Sequence, residues 1–226
     1  MKNILSLFLI TLITFTVTAQ RKNTKDLKKF TQLKVYDRII VTLVKSNENK
    51  IVITGDDKDE VSISNKDGLL KVRMEFDNFL DGGEAKATLY YTESLSLIDA
   101  NENAKVTSEE TFKGNYAQIK GQEGGKVDLK VNLESVYIKS ISGSEITLSG
   151  NANKQEITVN TGGKAFNKNL DTKDTNVVVM AGGRADVKAS NNVEAKVKAG
   201  GYIYIYGNPK NIEKNKMFGG KIKIMD

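Results

Sequence analysis

The chain has no cysteine, no histidine and no tryptophan, and one proline in 226 residues. Each gap closes off chemistry. Without Cys or His there is no zinc site of the usual kind, no Ser-His-Asp triad, no thiol nucleophile and no c-type haem attachment. No disulfide can staple the fold, so stability rests on a full-sized core; the missing cysteines do not by themselves assign a compartment. One proline against 19 glycines suits repeated tight turns between strands. With 39% hydrophobic and 27% charged residues, the composition is that of a globular protein rather than a disordered one.

The first residues place the protein. "MKNILSLFLITLITFTVTAQ" begins with Lys2, runs apolar over the 14 residues Ile4 to Val17, and reaches Val17-Thr18-Ala19 before Gln20. A charged start, a short apolar run and small residues at −3 and −1 are the signature of a cleaved signal peptide, residues 1–19. The run is short for a membrane span, which takes about 20 residues. No Cys follows, so this is not a lipoprotein signal. The mature chain then starts at Gln20 with 33 basic and 28 acidic residues, a net charge of +5. It is expected in the periplasm, on the outer membrane surface or outside the cell, with no transmembrane span.

Glycines expose the organisation. Turns reading "EGGKVDL", "SGSEITL", "TGGKAFN", "AGGRADV", "AGGYIYI" and "FGGKIKI" have their first glycines at 124, 143, 162, 182, 200 and 219, in steps of 19, 19, 20, 18 and 19. "NENAKVT" fits one step earlier, with Asn103-Ala104 in place of the pair. A fixed period over half the chain means stacked units. After each corner alternate residues are apolar: Val127, Leu129 and Val131; Ile146 and Leu148; Ala185, Val187 and Ala189; Ile203 and Ile205; Ile222 and Ile224. A second apolar stretch precedes the next glycines, as at Ile157 and Val159, Val177 and Val179, or Ala195 and Val197. Period 2 with no helical spacing marks half-buried strands. A 19-residue unit with two or three strands and a glycine corner is one coil of a parallel β-solenoid, an all-β, right-handed β-helix. An antiparallel meander or sandwich is the alternative, disfavoured by the short period and by glycine pairs where hairpins would carry Asn-Gly.

The N-terminal half is less regular. "VYDRIIVTLVKS", "NKIVITGD", "DEVSISN", "GLLKVRMEF", "AKATLYY" and "LSLIDA" are strand-like; they fit either first coils with longer loops or a cap over the open end. "QRKNTKDLKK", residues 20–29, lacks apolar periodicity and is expected as a basic tether. One solenoid domain, 30–226, follows, with regular coils from about 100.

The signal peptide, the opening "FTQLKVYDRIIVTLVKSNENKIVITGDDK", the glycine corners and the closing "GGYIYIYGNPKNIEKNKMFGGKIK" together resemble the head GIN domain family of Bacteroidetes cell-envelope proteins, also called the putative auto-transporter adhesin head domain. The resemblance covers about residues 30–226. It implies a β-helix-like fold in an exported protein. It implies no enzyme and brings no catalytic residues. Asn103-Ala104 and Gly143-Ser144 depart from the glycine pairs but keep the register.

If apolar positions point inward, the others form outward ladders. The residue after each corner is Lys105, Lys126, Glu145, Lys164, Arg184, Tyr202 and Lys221. Two positions on sit Thr107, Asp128, Thr147, Phe166, Asp186, Tyr204 and Lys223; a third column includes Lys130, Ser149, Lys168, Lys188 and Tyr206. The basic residues Lys105, Lys126, Lys164, Arg184 and Lys221 with the aromatics Phe166, Tyr202, Tyr204 and Tyr206 fit a groove for an acidic glycan or envelope polysaccharide, or a contact surface for another protein. The alternative is a solvated face whose lysines block sheet-to-sheet association. Nucleic acid is not expected, since the charge is mild and no such motif occurs. No metal or other cofactor is expected: "GGKVD" and "GGRAD" lack the third glycine and nine-residue period of a calcium repeat, and the acidic "GDDKDE" (55–60) and "EFDNFLDGGE" (75–84) lack the spacing of a calcium loop. The expectation is an exported, non-enzymatic β-solenoid, adhesin-like or scaffolding. The alternatives are a carbohydrate-active β-helix enzyme of the polysaccharide lyase type and a module that stacks end to end through its last coil. Asp128 and Asp186, three coils apart, are about 14 Å apart at the strand spacing, too far for a hydrolytic pair.

Overall fold

The computed structural model describes residues 22–75 and 85–225. The expected signal peptide and most of the acidic stretch 75–84 lie outside the described residues. The turns set the period. At the corners successive residues have positive φ: a pair in most, as in a type I′ turn, and three at Ala199–Gly201 and Phe218–Gly220. Thr161 at 47° and Gly162 at 70° are one such pair. A hydrogen bond from Gly163 N–H to Asn160 O, 2.9 Å, closes that turn. The corners also bond to one another. Asn103 N–H donates to Glu123 O, Gly124 N–H to Ser142 O, Gly143 N–H to Thr161 O and Gly162 N–H to Ala181 O, all at 3.0–3.1 Å. Asn103 (φ 60°) takes the left-handed position in place of glycine, as its short polar side chain allows. Asp37 and Arg38 (φ 58° and 62°) make one further corner, with Arg38 N–H donating to Glu102 O at 2.9 Å. It contains no glycine, so the glycine register does not reveal it.

In chain order, β1 (Asn23–Asp26), β2 (Gln32–Val35), β3 (Ile40–Lys45), β4 (Lys50–Gly55), a 3-10 turn (Lys58–Glu60), β5 (Val61–Lys66), β6 (Leu69–Met74) and β7 (Ala85–Tyr91) build the N-terminal part. β2 and β3 flank the Asp37-Arg38 corner as a first coil. β6 and β7 stack parallel on its outer side. Beyond them β5 pairs antiparallel with β6, β4 with β7, and β1 with β4. This half is therefore both early coils and an antiparallel cap. The stretch 20–29 is not simply a tether, because residues 23–26 form β1. All four of its side chains are exposed and it is held by main-chain pairing with β4, so no apolar pattern marks it.

The chain then crosses to the inner side of the first coil. β8 (Leu97–Ala100), β9 (Lys105–Ser108), β10 (Phe112–Gly121), β11 (Lys126–Ser140), β12 (Glu145–Val159), β13 (Lys164–Val179), β14 (Arg184–Lys188), β15 (Asn192–Lys198), β16 (Tyr202–Tyr206), β17 (Asn211–Met217) and β18 (Lys221–Ile224) follow. Each coil leaves its corner in an outgoing sheet, bends, and comes back in a return sheet. β11, β12 and β13 do both as single bent strands. The outgoing sheet runs β7-β3-β9-β11-β12-β13-β14-β16-β18 and the return sheet β6-β2-β8-β10-β11-β12-β13-β15-β17, pairing parallel throughout. Inward residues stack in columns such as Val106, Val127, Ile146, Ala165, Ala185 and Ile203, all buried. Each large aliphatic side chain there contributes about 1.5–3 kcal/mol. Ile222 and Ile224, expected as core, differ: Ile222 is partly buried and Ile224 is 49% exposed, since no described strand lies below them.

The two glycines of a corner do different work. A side chain on Gly182 would meet nothing within 4 Å; the position needs its φ of 80°. A Cβ on Gly183 would fall 2.4 Å from Val159 Cγ1 of the preceding coil. Ser144 fits the second position because the preceding coil has Gly121 there, where later coils have Ser140, Val159 and Val179. Its hydroxyl donates to Gly121 O at 2.8 Å and accepts from Ile141 N–H at 3.0 Å. One bulge interrupts the outgoing sheet, so that Asn169 rather than Lys168 stands opposite Ser149. Asn167 turns inward there and its Oδ1 accepts from Leu148 N–H at 3.1 Å. Lys168 therefore leaves the third outward column.

Candidate functional site

The outward ladder of the outgoing sheet forms in register: Lys105, Lys126, Glu145, Lys164, Arg184, Tyr202 and Lys221 are successive partners. It is not a uniform cationic strip. Lys164 Nζ lies 3.8 Å from Glu145 Oε2. Arg184 is committed further: its Nε and a terminal nitrogen donate to Asp186 Oδ1 and Oδ2, both at 2.8 Å. That fork raises the guanidinium's already high pKa. Lys105 and Lys126 at one end, and Lys221 and Lys223 at the other, have no carboxylate partner among the described residues.

The aromatics gather around Arg184. Its guanidinium lies 4.7 Å from the Tyr204 ring centre and 5.4 Å from that of Phe166. Tyr202 stacks on Tyr204 with centroids 6.4 Å apart and planes 9° from parallel. This follows from the register, because Phe166, Asp186 and Tyr204 are successive partners in one column, with Arg184 and Tyr202 in the next. Tyr206 stands two residues on, opposite Lys188, and Lys188 Nζ bonds Asp171 at 2.7 Å. The product is a flat face carrying three ring surfaces around a fixed cation, with Lys221 and Lys223 paired beside Tyr202 and Tyr204. Rings and guanidinium planes stack well, and a side chain pinned by a bidentate bond loses little further entropy on binding. The sequence placed these residues on one face; the Arg184–Asp186 fork was legible only as a basic and an acidic residue two positions apart.

The structure separates Asp128 from Asp186: Thr147 and Phe166 lie between them in the column. Among the described residues no three potential ligands converge as a metal site. No helix among them is long and apolar enough to cross a membrane. One group of carboxylates does escape the glycine register. Asp37, Glu102 and Glu123 occupy the same place in three successive corners. A hydrogen bond with Asp37, then burial, then the charges of Asp37 and Glu123 push Glu102 up to about 7. Asp37 Oδ2 also accepts from Met74 N–H at 2.9 Å, which ties the corner to the end of β6. An acid at the first left-handed position of three successive corners is the signal that would have found it.

A family model described as "Putative auto-transporter adhesin, head GIN domain" matches residues 29–209. No curated protein matches the chain. Among solved structures, a putative adhesin from Bacteroides fragilis superposes with a TM-score of 0.82 at 18% identity, over 92% of this chain and 98% of that one. A putative lipid binding protein from Parabacteroides distasonis gives 0.70 at 16%, over 91% and 97%. A putative adhesin from the same species gives 0.69 at 18%, over 91% and 96%. At such identities the likeness is one of fold.

Proposed function

The chain belongs to the head GIN domain family, and on that premise we propose that it is an exported, non-enzymatic binding module of the cell envelope that takes an acidic polysaccharide on its outgoing sheet. The observation that carries this is the Phe166–Arg184–Tyr204–Tyr202 assembly with Lys221 and Lys223 beside it. Sugar rings would stack on the aromatic faces, while the free lysines meet carboxylates spaced along the polymer. A flat ladder of this kind suits a chain rather than a small molecule. Lys105 and Lys126 extend it across further coils, whereas Lys164 and Arg184 act through position more than free charge. The names of the similar structures, two adhesins among them, support a binding role.

The test is retention of the mature protein on acidic and neutral glycans at two salt concentrations. Retention on acidic glycans that weakens with salt, and that is lost in Tyr202→Ser/Tyr204→Ser and reduced in Lys221→Ser/Lys223→Ser, supports the proposal. Equal retention of these variants, with unchanged melting curves, removes it. Release of product from any polymer would contradict a non-enzymatic role.

A further inference from the structure

The return sheet has its own outward column, unmarked by the glycine corners. Lys71, Lys34, Asp99, Lys120 and Lys139 are successive register partners, so four lysines surround one aspartate at a strand spacing of about 4.8 Å. Lys34, Asp99, Lys120 and Lys139, with Gln122, line a cavity of about 160 Å³. Asp99 is 2% exposed. Its Oδ2 lies 3.4 Å from Lys34 Nζ, but its Oδ1 has no hydrogen-bond partner. Lys120 and Lys139 are adjacent and have no carboxylate partner among the described residues.

Two features here lack counterparts. A buried carboxylate oxygen without a donor is costly to leave unmade. Two like charges side by side repel unless an anion sits between them. One molecule answers both: an anionic group for Lys120 and Lys139, and a hydroxyl for Asp99. Gln122 Nε2 donates to Asn101 Oδ1 at 2.6 Å, leaving Gln122 Oε1 as a second acceptor for a hydroxyl. A cavity of roughly 150 Å³ holds benzene, and a uronic acid has about twice as many non-hydrogen atoms, so the edge of the ring that carries the carboxylate enters and the rest stays outside. We infer that this cavity binds a single sugar residue bearing one acidic group, a uronic acid, with its carboxylate on Lys120 and Lys139 and a hydroxyl donating to Asp99. The inference shares only its ligand class with the proposed function, since the polysaccharide face lies on the other sheet.

The probes are glucuronate, glucose and acetate, titrated into the full mature protein by calorimetry. Glucuronate should bind more tightly than acetate, and glucose should not bind measurably. Lys120→Ser/Lys139→Ser should weaken glucuronate at least about tenfold, the loss expected for charge-assisted hydrogen bonds. Asp99→Ala should reduce the preference for glucuronate over acetate, because the hydroxyl loses one of its two acceptors while the lysines remain. If Asp99 serves only to neutralise the lysines, acetate and glucuronate bind the native protein alike and the inference fails. It fails equally if the lysine double variant binds as the native protein does. Tyr202→Ser/Tyr204→Ser should leave glucuronate binding intact, so failure of the polymer test and failure of this one are told apart.

Discussion

At the N-terminal end the outermost parallel strands, β6 and β7, are covered by the antiparallel strands β5, β4 and β1. At the C-terminal end no described strand covers β17 and β18. Yet that open end is not a ready template. The inward positions of β15 are Val193, Ala195 and Val197; their register partners in β17 are Ile212, Lys214 and Lys216. Two core positions have become lysines. Adding a coil there would bury charge at a penalty of several kcal/mol per ion. Inward-pointing charge is a known way to blunt a sheet edge. One end is closed by structure and the other by chemistry. This argues against stacking end to end through the last coil, although Phe218 at 86%, Met217 at 48% and Ile224 at 49% remain exposed beside the lysines.

The largest expected difference lies in the cores of the two ends. Ile51→Ala in β4, fully buried, should lower stability by about 2–5 kcal/mol. Ile224→Ala at the open end should change it by less than about 0.5 kcal/mol. Urea unfolding checks both, and similar losses would mean that the last coil is covered in solution. Next, Lys214→Ala/Lys216→Val restores the pattern of the coil above. The native protein should stay one size with dilution by light scattering, while the double variant should associate as concentration rises.

The corner spine differs between the ends as well, from acidic Asp37, Glu102 and Glu123 to apolar Phe218. Glu102 holds its proton more tightly folded, about 7, than at its ordinary value of 4.5. The folded state therefore binds more protons between these values, and stability falls as pH rises through that window. Thermal midpoints at pH 4.5, 5.5 and 7 should show the decline, and Asp37→Asn should flatten it. Last and smallest, Phe218 has φ 52°, a left-handed conformation that disfavours a bulky side chain. Phe218→Asn should raise stability by up to about 1 kcal/mol; a loss would mean that the exposed ring has a packing partner.

The regular coils were legible because one physical need, a left-handed turn with a close approach behind it, leaves glycine pairs at a fixed spacing. Where other residues meet that need, as at Asp37-Arg38, the period goes unseen. The order of the first coils was hidden for a different reason. β2–β3 lies between β6–β7 and β8–β9, an arrangement that depends on pairing between distant strands of similar pattern. The outward face of the outgoing sheet could be read from alternation, but ion pairing could not. Arg184 reads as one basic residue of the ladder, and the structure ties it to Asp186. Lys120 and Lys139 precede the corners and so fall outside the glycine register, and their meaning depends on Asp99, which lies in the strand beside that of Lys120.

The chain has eight tyrosines and no tryptophan, so its intrinsic emission reports on rings such as Tyr202 and Tyr204. Titrating the protein with an acidic oligosaccharide while following tyrosine emission tests the outgoing face as a binding platform. A saturable change should appear, shift to higher concentration with added salt and vanish in Tyr202→Ser/Tyr204→Ser. Unchanged emission at concentrations where calorimetry records oligosaccharide binding would contradict it.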